Sequence, residues 1–166
     1  VEEGVHSDAP LVVEEGAVIK KGTYVEGPLH VGKGAVVGPS AYLRGATSIG
    51  SGAKVGSFCE VKNTIIMSNT KVPHHSYIGD SVIGSNCNFG SGTKVANLRL
   101  DNGLIRVKME EGWVRTNRRK LGVIMGDDVK TGINSAIDCG TVVGEGTLIG
   151  PGRRVSGYLA PNSRHL

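Results

Sequence analysis

Large rings are scarce in this chain: one tryptophan, two phenylalanines and four tyrosines make up 4% of its 166 residues. That excludes an interior built around aromatic side chains and points to a thin one. Cysteine is nearly as rare. Cys59, Cys87 and Cys139 show no CxxC spacing, which argues against a disulfide scaffold or a zinc ribbon. We read them as buried free thiols in a reducing compartment. No run of about 18 apolar residues reads as a membrane-crossing helix, and no secretory signal pattern is seen, so a cytoplasmic protein without membrane contact is expected. The excess of positive charge is small, 19 basic against 15 acidic residues and a net charge of +4. It suits small anionic ligands and falls short of a nucleic-acid-binding surface.

What is abundant is glycine, 26 residues, and a period of six. Val13, Ile19, Val25, Val31, Val37, Leu43, Ile49, Val55, Val61 and Met67 occupy the first position of successive hexads. The fifth position is small or β-branched in Ala17, Thr23, Ala35, Ala41, Thr47 and Ala53, and glycine recurs at the second and fourth. A six-residue repeat fits neither a 3.6-residue helix nor an alternating strand, but it fits a triangular coil with one hexad per face. Three hexads then make one turn of a parallel β-helix. Each inward aliphatic residue stacks on its equivalent one turn later and contributes about 1.5–3 kcal/mol when fully buried.

The frame divides the chain. Residues 1–12 lie outside it and, with Val1 in place of methionine, are expected to be a linker from a missing upstream domain. Residues 13–156 form the β-helix, and 157–166 leave the frame as a tail. The period falters between Val72 and Val82, around Pro73, His74, His75 and Tyr77. It breaks again over 98–121, a charged stretch expected to protrude as a loop or arm. Excursions from a rigid scaffold are where function is to be sought. Prisms packed side by side would let such excursions meet between chains, so a homotrimer is expected.

Arg44, Lys62, His74, Tyr77, Asn88 and Asn97 follow one another at suggestive spacings. His74-His75-Ser76-Tyr77-Ile78-Gly79-Asp80 resembles the His-x-x-Tyr-x-Gly-Asp motif of the acetyltransferase domain of bifunctional sugar-1-phosphate nucleotidylyltransferase/glucosamine-1-phosphate acetyltransferases, the archaeal type in particular. Glu60-Val61-Lys62 lies twelve residues before His74, and Arg44 a further eighteen before that. Asn88-Phe89-Gly90-Ser91-Gly92-Thr93 is similar to that family's Asn-x-Gly-Ala-Gly-Thr run, and Gly126-Asp127-Asp128-Val129 to the motif that restarts its coil. The resemblance covers nearly the whole chain and implies an all-β, left-handed parallel β-helix. The hand comes from the resemblance, since parallel crossovers are otherwise almost always right-handed. The glycine-rich nucleotide loop of a nucleotidylyltransferase is absent.

What the resemblance implies is an N-acetyltransferase using acetyl-CoA on glucosamine 1-phosphate, or galactosamine 1-phosphate, by direct transfer and with no metal. The chemistry asks for the same residue types. An amine must lose its proton as it attacks a thioester, and an imidazole titrating near neutrality is a suitable general base, the role His74 takes by resemblance. Arg44 and Lys62 supply a fork and a point charge for a sugar phosphate. Tyr77 and Asn88 complete the substrate set. Ser91 and Asn97 stand at acetyl-CoA positions, Asn97 also serving catalysis, and glycine-flanked backbone from Gly90 to Gly92 offers N–H groups to the thioester oxygen. His75 is read as structural. Trp113 is read as packing the arm against a neighbouring chain, and Arg118-Arg119-Lys120 as either a solvated loop or a contact for phosphates. Two other readings compete: a non-catalytic β-helix that oligomerises or regulates a nucleotidylyltransferase, and a zinc β-helix enzyme. The second is disfavoured because the adjacent His74 and His75 do not both reach one metal easily.

Overall fold

The computed structural model describes all 166 residues and contains no helix. Strands of two to four residues wind into a three-sided coil, and each side becomes an eight-stranded parallel sheet. One turn runs from Glu60–Lys62 on the first face to Ile65–Ile66 on the second and Lys71–His74 on the third. Tyr77–Gly79 then returns to the first face in register beneath Glu60–Lys62. Inward columns fill the prism: Val25, Leu43, Val61, Ile78 and Val95 on the first face, and Ile19, Val37, Val55, Val72 and Phe89 on the third, all within 1% of full burial. The hydroxyls of buried corner residues are satisfied by the coil's own carbonyls, as where Thr70 donates to Gly84 at 2.7 Å and Ser76 to His74 at 2.9 Å.

The corners demand backbone that few residues adopt. Between the third and first faces Gly22, Ser40, Phe58, His75, Gly92, Asn134 and Gly152 all have positive φ. Glycine and asparagine enter that region at little cost. Phe58 at 55° and His75 at 49° are the bulky exceptions.

The repeat does not break at Val72 to Val82. It loses single residues instead. Six residues separate the inward Leu43 and Ile49, but only five separate Val61 from Ile66 and Ile78 from Ile83. Ile66 is therefore the buried residue, and Met67, expected in the core, is 41% exposed. At both short edges a small buried hydroxyl residue, Thr64 or Ser81, directly follows the left-handed corner residue, Asn63 or Asp80. Thr64 Oγ1 accepts from the Ser81 amide at 3.2 Å, which closes the tighter corner. Val72 stays aligned with Val55, and His74 with Ser57. His74 thus sits on the scaffold itself.

Strands also occur where a linker and a tail were expected. His6–Ser7 pairs with Tyr24–Val25, Tyr158–Leu159 with Val142–Val143, and Arg164–His165 with Leu148–Ile149. The arm is a hairpin, Ile105–Met109 against Gly112–Arg118. It does not stand free: Ile105 and Val107 are buried, and Ile105 packs at Gly140, where an added Cβ would lie 2.6 Å from it. Trp113 stays exposed with the Arg106 guanidinium 5.3 Å above its ring. A cavity of about 830 Å³ lies under the arm, between Arg106, Trp113, Cys139, Arg154 and Tyr158. All three cysteines are free. Cys59 and Cys87 are buried as expected, while Cys139 is half-buried.

Candidate active site

On the first face, register alone assembles most of the expected residues. Tyr42 lies over Glu60 and Glu60 over Tyr77, while Arg44 lies over Lys62 and Lys62 over Gly79. Alternation along each short strand points these side chains outward while Leu43, Val61 and Ile78 point in. Arg44 Nη1 donates to Glu60 Oε1 at 3.1 Å, and its Nε lies 3.8 Å from Glu26. Its guanidinium is 5.5 Å from the Tyr42 ring centre. The Glu60 hydrogen bond raises its pKa further, securing the charge.

Lys62 is held more tightly. Its Nζ reaches both oxygens of Asp80, at 3.0 and 3.2 Å. Asn63 donates to the same carboxylate at 3.0 Å, and so does the Asn97 amide from the same corner one turn further along the chain. Burial alone would push the Asp80 pKa up, but the hydrogen bonds from Asn63, Asn97 and Lys62 outweigh it and leave the carboxyl below its ordinary value. Tyr77 is shifted the other way: burial first, then Glu60 and Asp80, raise its pKa, against a smaller opposing influence of the nearby Asn97 amide. Its hydroxyl folds back over Gly79, where an added Cβ would lie 2.6 Å from that oxygen and 2.7 Å from Asn97 Nδ2.

His74 and Ser91 lie at the corner between the third and first faces. The backbone carbonyl of His74 accepts from Ser76 Oγ and from the Gly92 amide, at 2.9 and 3.3 Å. Its exposed ring has no partner within the chain. His75 follows at the left-handed corner position, its ring 5.3 Å from that of Phe58 and its carbonyl accepting from Lys94 Nζ at 2.6 Å. Of the amides expected to face a thioester, those of Gly90 and Gly92 are engaged by the carbonyls of Thr131 and His74. Only the Ser91 N–H remains without an acceptor in that run.

Asn88 is not brought to this group. It stands on the third face in register between Lys71 and Lys130, at the far end of the strand from the corner. Sequence reasoning also passed over Asp80, Glu60 and Glu26, the carboxylates that hold both cations. Asp80 closed the quoted motif, and it falls one turn after Asn63 at the same corner. That one-turn spacing was the signal available.

Solved structures share this architecture. A hexapeptide transferase family protein from Anaplasma phagocytophilum superposes with a TM-score of 0.65 at 17% identity, covering 92% of this chain and 80% of that one. A variant of AntD, an N-acyltransferase from Bacillus cereus in complex with dTDP-4-amino-4,6-dideoxyglucose and coenzyme A, gives 0.52 at 22% identity, with 78% and 74% covered. Such likeness speaks for the fold alone, the left-handed parallel β-helix of hexapeptide transferases. Among curated proteins, the chain is 56% identical over 163 residues to the bifunctional protein GlmU of Methanococcus maripaludis, covering 98% of this chain and 39% of that protein. It is 45% identical over 97 residues to a bifunctional sugar-1-phosphate nucleotidylyltransferase/acetyltransferase of Sulfurisphaera tokodaii, covering 58% and 24%. The chain thus spans less than half the length of these relatives, and they bear out the resemblance read from the motifs. A match to the family model of the GMPPB C-terminal domain runs over residues 25–158, most of the coil and the whole arm, and the chain belongs to that family.

Proposed function

We propose that this domain transfers the acetyl group of acetyl-CoA to the amine of an amino-sugar 1-phosphate, with glucosamine 1-phosphate the first choice and galactosamine 1-phosphate the second. The observation that carries the reading is the gathering of Arg44, Lys62 and Tyr77 on one face with Asn97 at its far corner, and the unpartnered ring of His74 at the corner that leads into that face. The printed name of the Sulfurisphaera relative, a sugar-1-phosphate nucleotidylyltransferase/acetyltransferase, supports it. In the reaction the amine nitrogen attacks the thioester carbon. The N–C bond forms, the C–S bond breaks, the thiolate leaves, and the amine proton goes to neutral His74. The free Ser91 amide suits the developing charge on the carbonyl oxygen. Arg44 retains guanidinium N–H groups beyond its Glu60 contact, and Lys62 one beyond Asp80, for the phosphate. Asn88, away on the third face, joins this site only if a neighbouring chain's third face packs against the first, which fits the homotrimer we propose.

The test is thiol release from acetyl-CoA with a panel of hexosamine 1-phosphates and free hexosamines. Turnover restricted to the phosphorylated amines supports the reading. Turnover with none of them leaves the chain a non-catalytic β-helix. Light scattering should return about three times the 17.3 kDa chain mass, and an active monomer would remove the trimer.

A further inference from the structure

We infer that Asp80 is a positioning residue that sets which end of the Asn97 amide a ligand meets. The inference rests on the proposed function for the identity of that ligand. Asp80 is fixed at both levels. Its backbone N–H donates to the Lys62 carbonyl and its carbonyl accepts from Gly122, both at 2.8 Å, and its side chain is only 9% exposed. Oδ1 takes Lys62 Nζ at 3.2 Å and Asn63 Nδ2 at 3.0 Å, while Oδ2 takes Lys62 Nζ at 3.0 Å and Asn97 Nδ2. Four hydrogen bonds thus converge on one carboxylate.

An ionised carboxylate accepts and never donates. Whatever faces it must present a donor. Lysine has no alternative, but an asparagine amide can turn either way, and here the acceptor-only partner decides: the NH₂ faces Asp80 and Oδ1 faces away. The absence of a side chain at Gly79 lets the same Nδ2 and the Tyr77 hydroxyl oxygen lie over bare backbone. The Tyr77 hydroxyl has no hydrogen-bond acceptor within the chain, so its proton remains free to give. A ligand on this face therefore meets an acceptor at Asn97, a donor at Tyr77 and the remaining N–H of Lys62. That polarity fits an N–H or O–H group set against Asn97 and an anionic oxygen set against Lys62 and Tyr77. It does not fit Asn97 as a donor to a carbonyl oxygen.

The experiment is Asp80→Asn, equal in size but able to donate. Two readouts are taken: the Asn97 side-chain amide signals of the ligand-free protein by NMR, and KM and kcat for both substrates. The inference expects the Asn97 signals to shift and KM for the amino-sugar phosphate to rise about tenfold or more, the scale of one lost charge-assisted hydrogen bond, with the fold retained at the assay temperature. Unshifted Asn97 signals with unchanged KM, or a lowered melting temperature as the sole effect, would overturn it. Should Asp80→Asn leave Lys62 as an uncompensated charge and prevent folding, the double variant Lys62→Gln/Asp80→Asn removes both charges, and the same Asn97 shift is expected there. The ligand-free signals need no turnover. A wild-type protein inactive toward every amine, with Asn97 still responding to Asp80, overturns the proposed function and leaves the positioning role standing.

Discussion

The first and third faces are built on the same interior and carry opposite exteriors. Behind Glu60–Lys62 and Tyr77–Gly79 stand Val61 and Ile78; behind Lys54–Ser57 and Lys71–His74 stand Val55 and Val72, equally buried. Outward, the first face is a lattice of paired charges in which Glu26, Glu60 and Asp80 hold Arg44 and Lys62. The third face carries Lys54, Lys71 and Lys130 with no carboxylate on any of them, beside glycines 56, 90 and 132. The repeat that fixes packing therefore leaves the chemistry free to differ from face to face. What distinguishes a site from a wall here is pre-orientation, since charges held by fixed partners lose less freedom when a ligand arrives.

The largest effect should come from the shared interior. Ile66→Ala should cost about 2–5 kcal/mol in chemical denaturation, while Met67→Ala, one residue on, should stay within about 0.5 kcal/mol. Equal effects would restore the unbroken hexad frame. At the corner joining the two faces, His74→Ala should lower turnover at least about a hundredfold without changing the melting temperature, and His75→Ala much less. If the two exchange roles, the motif is misplaced by one residue. Between the faces themselves, Arg44→Ala or Lys62→Ala should raise KM for the sugar phosphate about tenfold. Lys71→Ala on the third face should leave that KM within about twofold. An equal response from Lys71 would erase the distinction between the faces.

The smallest effect is one of pH. Asp80 titrates below its ordinary value in the folded chain, so its contribution is complete above the unfolded carboxyl range near pH 4. It is lost as pH falls through the lower folded value. Melting curves from pH 6 down to 2.5 should show a shallower acid loss for Asp80→Asn than for wild type. No such difference is expected for Lys71→Ala.

The coil itself was legible because one apolar residue in six must face inward whatever the chemistry outside. The two shortened edges were not, because Ile65, Ile66 and Met67 offer three apolar residues in a row and the pattern cannot choose among them. The choice is made by the Thr64 hydroxyl, which lets the corner close one residue early. His74, Lys62 and Tyr77 were found through a resemblance, whereas Glu26, Glu60 and Asp80 were given no role. Their importance lies in partners one turn away, which only the register reveals. The docking of the arm had a legible trace in the alternation of Ile105 and Val107 with Arg106 and Lys108, but charge elsewhere in the segment obscured it.

In a solenoid each coil touches only its neighbours, so the terminal turns are free to fray one at a time. The arm changes this. It leaves the coil after Val95, yet its buried edge lies on Gly140 and the Thr141–Val143 strand, and Glu110 accepts from the Tyr158 hydroxyl a turn further on. Turns that would open separately are tied into one cooperative block, whose amides should exchange together. During synthesis Ile105 and Val107 emerge before the residues that cover them, and until those turns form the arm's apolar edge is exposed to whatever else the nascent chain meets.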